Sequence, residues 1–449
     1  MKRVLLKGGR LIDPSTDTDE RLDVLVEDGR IAAREHSVTA EDARVIDVSG
    51  LVVAPGLVDM HVHFRDPGRE DEETILSGST AAAHGGVTSV ATMPNTDPSI
   101  DTRSWVEYIA GHESPINVFP IAAITMGRKG ESLTEMAELA RAGAVGFSDD
   151  GSPVVDANVM RRALEYASMV GRPVIAHCED PALARDGVAN EGPASTMSGL
   201  RPVPAAAEVT MVARDIVLAK ATGARLHIAH VSTAGAVDLV RRAKEDGVDV
   251  TCETCPHYFS LTDNEVRTYD TNVRVNPPLR SESDVRAIRE GLADGTIDVI
   301  ASDHAPHSLE EKQVEFDAAP PGMIGVETLL PVALKYLVEP GHLSLGKTIE
   351  LLACGPAGIL GIERGTLTAG AAADVVVLDP ERSWTPSREW FRSKSKNSPF
   401  IGRELRGRAV LTLVRGEVAF EHEDLAATPD EGDSGEEGDR SARQLPLHA

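Results

Sequence analysis

Four histidines and an aspartate stand at the ends of short apolar runs: His61 and His63 in LVDMHVH, His177 in PVIAH, His230 in RLHIAH and Asp303 in IDVIASD. Neutral imidazoles and carboxylates are good ligands for zinc and similar ions. In His61-Val62-His63 the imidazoles are two residues apart, so on a strand both point to one face and reach one ion. A lone HxH arises easily by chance. Its company of further histidines and a carboxylate at corresponding run ends is what points to a metal centre. The run AVGFSD adds the pair Asp149-Asp150, of which only one can face inward, because adjacent strand residues point to opposite sides. Gly146, Ser148 and Asp150 share one parity, while Val145, Phe147 and Asp149 share the other. The larger apolar side chains suit an outer layer, which turns Asp150 inward.

Other residues carry less. His227 is three before His230 and so expected on the opposite face, as a packed or supporting histidine. His304 should face away from the centre, and His36, His84, His112, His342, His422 and His448 read as surface residues. His257 is placed by neither argument. Cys252-Glu253-Thr254-Cys255 lacks the second pair of a structural zinc site and the helix of a redox motif, so its cysteines read as packing residues. No GxxxxGK[ST], GxGxxG or GxSxG pattern is present.

The elements that must position these groups form a regular series. Eight apolar runs, at 57–63, 87–93, 117–124, 144–149, 173–177, 225–230, 248–254 and 297–303, are separated mostly by helical patterns such as 131–142, 157–170 and 281–293. Eight β/α units over about 250 residues predict a (β/α)8 TIM barrel, whose active site lies at the C-terminal strand ends. A doubly wound sheet is the alternative, and the count of eight favours the barrel. Residues 2–54 and 365–420 alternate instead in strand fashion with Gly-containing turns. Neither is long enough for a good core alone, so the two ends are expected to form one small flanking β-sandwich domain, with the barrel at 55–364. Residues 421–449 hold nine acidic and two basic residues and are expected to be a disordered acidic tail.

The 449 residues carry 71 acidic and 45 basic side chains, a net charge of −26. A field of that sign opposes binding to nucleic acid and to anionic lipid. No apolar stretch reaches the roughly 18 residues of a membrane span. The start, MKRVLLKGGRLIDP, lacks the pattern of a signal peptide, and four cysteines make no disulfide framework. The expectation is a soluble cytoplasmic protein.

The motifs also resemble a known family. His61-Val62-His63-Phe64-Arg65-Asp66-Pro67-Gly68, then Thr92-Met93-Pro94-Asn95-Thr96, look like dihydroorotase of the amidohydrolase superfamily. The segments FSDDG (147–151), AHCED (176–180), HIAHVS (227–232), NPPLR (276–280) and SDHAPH (302–307) follow in the family's order and spacing. The resemblance covers about residues 1–420. It implies reversible interconversion of N-carbamoyl-L-aspartate and L-dihydroorotate in pyrimidine synthesis, with one or two zinc ions per subunit. Carried over position by position, it makes His61 and His63 ligands of a first metal and His177 and His230 of a second. Asp303 becomes a ligand and the general base, and Asp150 stands where many superfamily members place a bridging carboxylated lysine. The fourth run has no lysine, which argues against a hydantoinase or dihydropyrimidinase. His63, Arg65, Asn95, Asn276 and His307 are implied to hold the substrate, with backbone near Pro321 and Gly322. Arg65, two beyond His63, can offer a bidentate fork to a carboxylate, the structural alternative being a salt bridge to Asp66 or Glu70. Pro321 replaces the phenylalanine of the family's APFG stretch. The implied partners are the small-molecule substrate, and aspartate carbamoyltransferase or a second copy of the chain. The competing class is a metal-free scaffold, known in the family from homologues that have lost ligands, whereas every ligand position here is filled.

Overall fold

In the computed structural model, which describes residues 3–426, each of the eight apolar runs holds one strand. In order these are Leu57–Val62, Val87–Thr92, Asn117–Ala122, Gly146–Phe147, Val174–Ala176, Leu226–Ile228, Val250–Thr254 and Val299–Ile300, each parallel to the next. A parallel bridge between Val62 and His304 brings the first and last together, so the sheet is a barrel. Several strands are shorter than their runs. Asp150, His177, His230 and Asp303 therefore lie just past strand ends, where the backbone is free to turn.

Helices between strands bury an apolar stripe, as the fourth βα unit shows. In Ala157–Met169 the buried residues Met160, Ala163, Leu164 and Ala167 follow the i, i+3, i+4, i+7 pattern, and Asp156 caps the first turn by accepting from the amides of Asn158 and Val159. The helix expected from residue 131 starts only at Met136. Thr134 is tied back to the third strand's end, its amide donating to Ile124 O at 3.0 Å and its hydroxyl to Ala123 O at 2.8 Å.

Two apolar layers surround the barrel wall. Val62, Val90, Ala122, Phe147, Val174, Ile228 and Cys252 belong to the outer one, under the helices. Met60, Ala91, Ile121, Val145, Ile175, Ala229 and Val299 form a separate cluster from every strand region but the seventh, filling the barrel interior. The seventh strand contributes buried Glu253 instead.

The two chain ends meet in one six-stranded sheet, where Val52–Pro55 lies between Arg10–Asp13 and Val375–Trp384. A four-stranded sheet from residues 3–47 packs on it through a shared core that includes Leu6, Val24, Val53, Val375 and Leu411. The long connection from Trp384 to Leu405 leaves this β-structure and reaches the barrel mouth. There Ser393 donates to Glu73, and Asn397 Nδ2 donates to Ala305 O at 3.0 Å and Gly322 O at 3.2 Å. The expected acidic tail lies, beyond Ala426, outside the described residues. Among the described residues no helix is long and apolar enough to cross a membrane.

Candidate metal centre and active site

The strand-end residues converge. His61, His63 and Asp150 form one group, and Asp150, His177 and His230 another, in each of which the ligand atoms lie within 4.8 Å of one another. All five side chains are buried. Asp150 is the shared member: its Oδ1 is 3.4 Å from His61 Nε2, 3.7 Å from His177 Nδ1 and 3.6 Å from His230 Nε2. Asp303 Oδ1 approaches the same cluster, 3.1 Å from His63 Nε2 and 3.6 Å from His61 Nε2.

The donor set fits one or two divalent cations. Two buried ligand atoms, His61 Nε2 and Asp150 Oδ1, make no hydrogen bond with the protein, an expensive arrangement unless something else binds them. Electrostatics agree. Burial disfavours charge on Asp150, yet the surrounding imidazoles hold its pKa well below the carboxylate range. Burial likewise opposes a charged His61, but Glu253 and Asp150 raise its pKa well above the usual value. A field that draws a proton onto His61 also favours a metal cation there.

The ligands are oriented from behind. His61 Nδ1 donates to Glu253 Oε1 at 2.5 Å, which turns Nε2 into the cluster. His63 Nδ1 donates to Asn95 Oδ1 at 2.7 Å, with the same effect on its Nε2. The other oxygen of Glu253 lies 3.3 Å from His227 Nε2, and His61 and His227 hold its pKa far down against the opposing effect of burial. Such partners set tautomer and basicity. Glu253→Gln keeps the shape and removes the charge, and it is expected to weaken metal affinity by about 10–100-fold. Metal retained per subunit against a graded chelator measures this.

His227 corrects the parity argument. It shares its inward face with Ala229, below the metals, and His230 also reaches the centre because the strand has already ended at Ile228. Its φ of 35° turns the backbone, as do φ values of 50° at Asp303 and 61° at Arg65. Left-handed backbone at three non-glycine residues around one cavity is the strain expected where function over-rides local preference.

That cavity, of about 190 Å³, opens above the cluster. Its wall includes His63, Asp150, His177, His230 and Asp303 on one side, with Arg65, Asn95, Asn276, His307, Pro321 and Gly322 around them. Only His61, fully buried, lies behind the wall. Arg65 pairs with neither Asp66 nor Glu70. Its Nε lies 3.2 Å from Glu72 Oε2, and Glu72 Oε1 also accepts from His307 Nδ1 at 2.9 Å. Asp66 instead accepts from Tyr108 at 2.9 Å. One buried carboxylate thus holds both basic groups of the wall. The backbone at 321–322 is already engaged: Pro321 O accepts from His307 Nε2 at 2.9 Å, and Gly322 N donates to Arg274 O at 2.8 Å. Gly322 is required by closeness, since a Cβ there would sit 2.8 Å from Ala305 Cβ and 2.9 Å from His307 Nε2.

The family model described as dihydro-orotase-like matches residues 50–236. The dihydroorotase of Geobacter sp. (strain M21) is 55% identical over 93% of this chain and 99% of its own length. That of Acetivibrio thermocellus is 51% identical over 92% of this chain and 98% of its own. The chain belongs to the dihydroorotase family. Among solved structures, L-hydantoinase (dihydropyrimidinase) from Arthrobacter aurescens superposes with a TM-score of 0.85 at 30% identity, covering 94% of this chain and 96% of that one. Dihydropyrimidinase from Brevibacillus agri NCHU1002, at 24% identity and a TM-score of 0.81, shares the fold. The family member described here is accordingly a cyclic amidohydrolase on an amidohydrolase barrel.

His304 faces away, its Nδ1 accepting from the amides of Gly325 and Val326 at 3.2 and 3.4 Å. His84 is not on the surface: it is buried, with Nδ1 2.7 Å from Glu327 Oε1. Cys252 and Cys255 are buried free thiols whose pKa values burial pushes up. His257 is buried beside Asp303 and Cys255, and burial pushes its pKa down to about 4. Glu253 and Glu72 are the supporting residues that pattern reading passed over. An acid in the middle of a barrel strand was the available signal for the first; for the second, nothing local distinguishes it from its neighbours Glu70, Asp71 and Glu73.

Proposed function

We propose that the chain interconverts N-carbamoyl-L-aspartate and L-dihydroorotate plus water in pyrimidine synthesis, using one or two zinc ions held by His61, His63, Asp150, His177, His230 and Asp303. The observation that carries this reading is that the ligand cluster and the Arg65–His307 wall open onto the same 190 Å³ cavity. Bound there, a zinc ion supplies a Lewis acid for the amide carbonyl and makes water acidic near neutral pH.

The chain's own residues do the rest. Arg65 has its Nε engaged by Glu72 and by Pro306 O at 3.1 Å. Its terminal nitrogens give the substrate carboxylate a fixed cationic fork. Asn276 and His307 bracket the ring from the same wall, and Pro321 and Gly322 shape its floor. Asp303 takes the proton released as water attacks the ring amide and returns it to the departing nitrogen; in the cyclising direction it does the reverse. Walls of buried side chains exclude bulk water from the bond being broken.

This assignment implies a cytoplasmic enzyme. It admits aspartate carbamoyltransferase or a second copy of the chain as a partner, to be tested by co-elution on size exclusion. The deciding assay uses purified, metal-analysed protein with N-carbamoyl-L-aspartate, L-dihydroorotate and hydantoin. Turnover of the first two with stoichiometric metal is expected. A preference for hydantoin would overturn the substrate assignment, and absence of both metal and activity would leave the scaffold reading.

Substrate choice gives a sharper check. Arg65→Met removes charge-assisted hydrogen bonds to the carboxylate and is expected to lower kcat/KM for carbamoyl-aspartate by about 10–100-fold. Uncharged cyclic imides should suffer less. Equal losses on both substrate types would assign Arg65 to holding Glu72 alone.

A further inference from the structure

Lys312 ends the short helix Leu309–Lys312 with its side chain buried. Its Nζ donates to Thr271 O at 2.9 Å and to Pro320 O at 2.8 Å, and among the described residues no carboxylate lies within ion-pair distance of it. An ammonium has three donors, so one N–H remains without a protein acceptor. Burial, reinforced by Arg274, pushes its pKa down to about 7, although Asp270 and Glu311 act in the opposite sense. A buried cation without a counter-charge is costly unless a ligand supplies one.

A cavity of about 250 Å³ lies against Lys312 and is lined also by Lys396, Arg388, His307 and Asn397. Lys396 Nζ donates to the carbonyls of Phe391 and Ser393, and neither it nor Arg388 has a carboxylate within ion-pair distance among the described residues. No aspartate or glutamate lines this cavity. In a chain with 71 acidic and 45 basic residues, three unpaired cations around one hollow concentrate positive potential against the background.

We propose that this cavity is a second anion site, separate from the metal-centred one, in which Lys312, Lys396 and Arg388 hold a small oxyanion, a carboxylate or a phosphate. The two cavities share His307. Lys312 also grips Pro320 O, next to Pro321, whose carbonyl meets His307 Nε2 at 2.9 Å. An anion that draws on Lys312 therefore pulls on a wall of the substrate cavity through two hydrogen bonds.

The test follows thermal unfolding of the full chain at constant ionic strength while inorganic phosphate is titrated. Arg388 is exposed and Lys396 half-buried, so Arg388→Met and Lys396→Met are compatible with the fold. Phosphate should raise Tm of the unaltered protein, and the doubly substituted protein should need about tenfold more phosphate, or higher, for the same rise. Lys312→Met, which removes the buried charge, should lose the response as well. An unchanged phosphate response in all these variants overturns the proposal. This readout requires no turnover, so it fails or succeeds independently of the substrate assignment. A second arm measures KM for N-carbamoyl-L-aspartate. In Arg388→Met/Lys396→Met, a KM that stands while the phosphate response goes marks a site separate from the substrate's; a KM that rises with that loss makes this cavity part of the substrate site and overturns the separation.

Discussion

Asp303→Asn is expected to lower kcat by about 10²–10⁴-fold, the usual contribution of a positioned acid–base group, while the protein still folds. Asp303 sits one turn of backbone past the eighth strand, with φ at 50° and Oδ1 at 3.1 Å from His63 Nε2. Burial would raise its pKa, but His63 and His61 keep it down at about 2, so the carboxylate is ionised and able to accept. Asparagine preserves the size and one acceptor oxygen, yet it takes no proton. Metal content must be measured on the same sample, because Asp303 also faces the cluster. Near-normal turnover at unchanged metal content would remove Asp303 from proton transfer and leave His257, its buried neighbour, as the next group to test.

The parts of this molecule that obey simple periodicity were legible in the sequence. Each barrel strand is largely buried, so it reads as a short apolar run, and helices such as Ala157–Met169 show an apolar stripe. The pairing of the two chain ends was legible for a different reason: neither could bury a core alone. What escaped was whatever depends on backbone that departs from regular structure. The parity argument misplaced His227 because the sixth strand stops at Ile228 and His230 turns in with a φ of 35°. The salt-bridge partner of Arg65 was sought among near neighbours, whereas a φ of 61° swings that side chain to Glu72. His84 looked like a surface histidine because its partner, Glu327, is distant in sequence. The long connection that carries Lys396 and Asn397 to the barrel mouth has no periodicity at all, and its role follows from contacts with Glu73, Ala305 and Gly322.

The sharpest separation of roles is expected from the adjacent pair. Asp150→Ala should lose metal along with about 10²-fold or more of the rate, because even supporting residues around a metal are worth about 10–100-fold. Asp150 is the member common to both ligand groups, and its Oδ1 has no hydrogen bond within the protein. Without it the two histidine groups would share no carboxylate, so a cation held by either would lose its common anionic ligand. Asp149, one residue earlier, points the other way. Its Oδ1 accepts from the amides of Ile124 and Thr125 at 2.8 and 3.0 Å, and its Oδ2 accepts from the Thr125 hydroxyl. Those donors belong to the end of the third strand, so this carboxylate fastens one barrel loop to the next. Asp149→Ala strands buried donors at about 1–3 kcal/mol each, which should appear as a lowered Tm with metal content kept. Elemental analysis and thermal unfolding of the two variants side by side decide the matter. Metal loss in Asp149→Ala with retention in Asp150→Ala would mean that the fourth strand presents its other face to the centre.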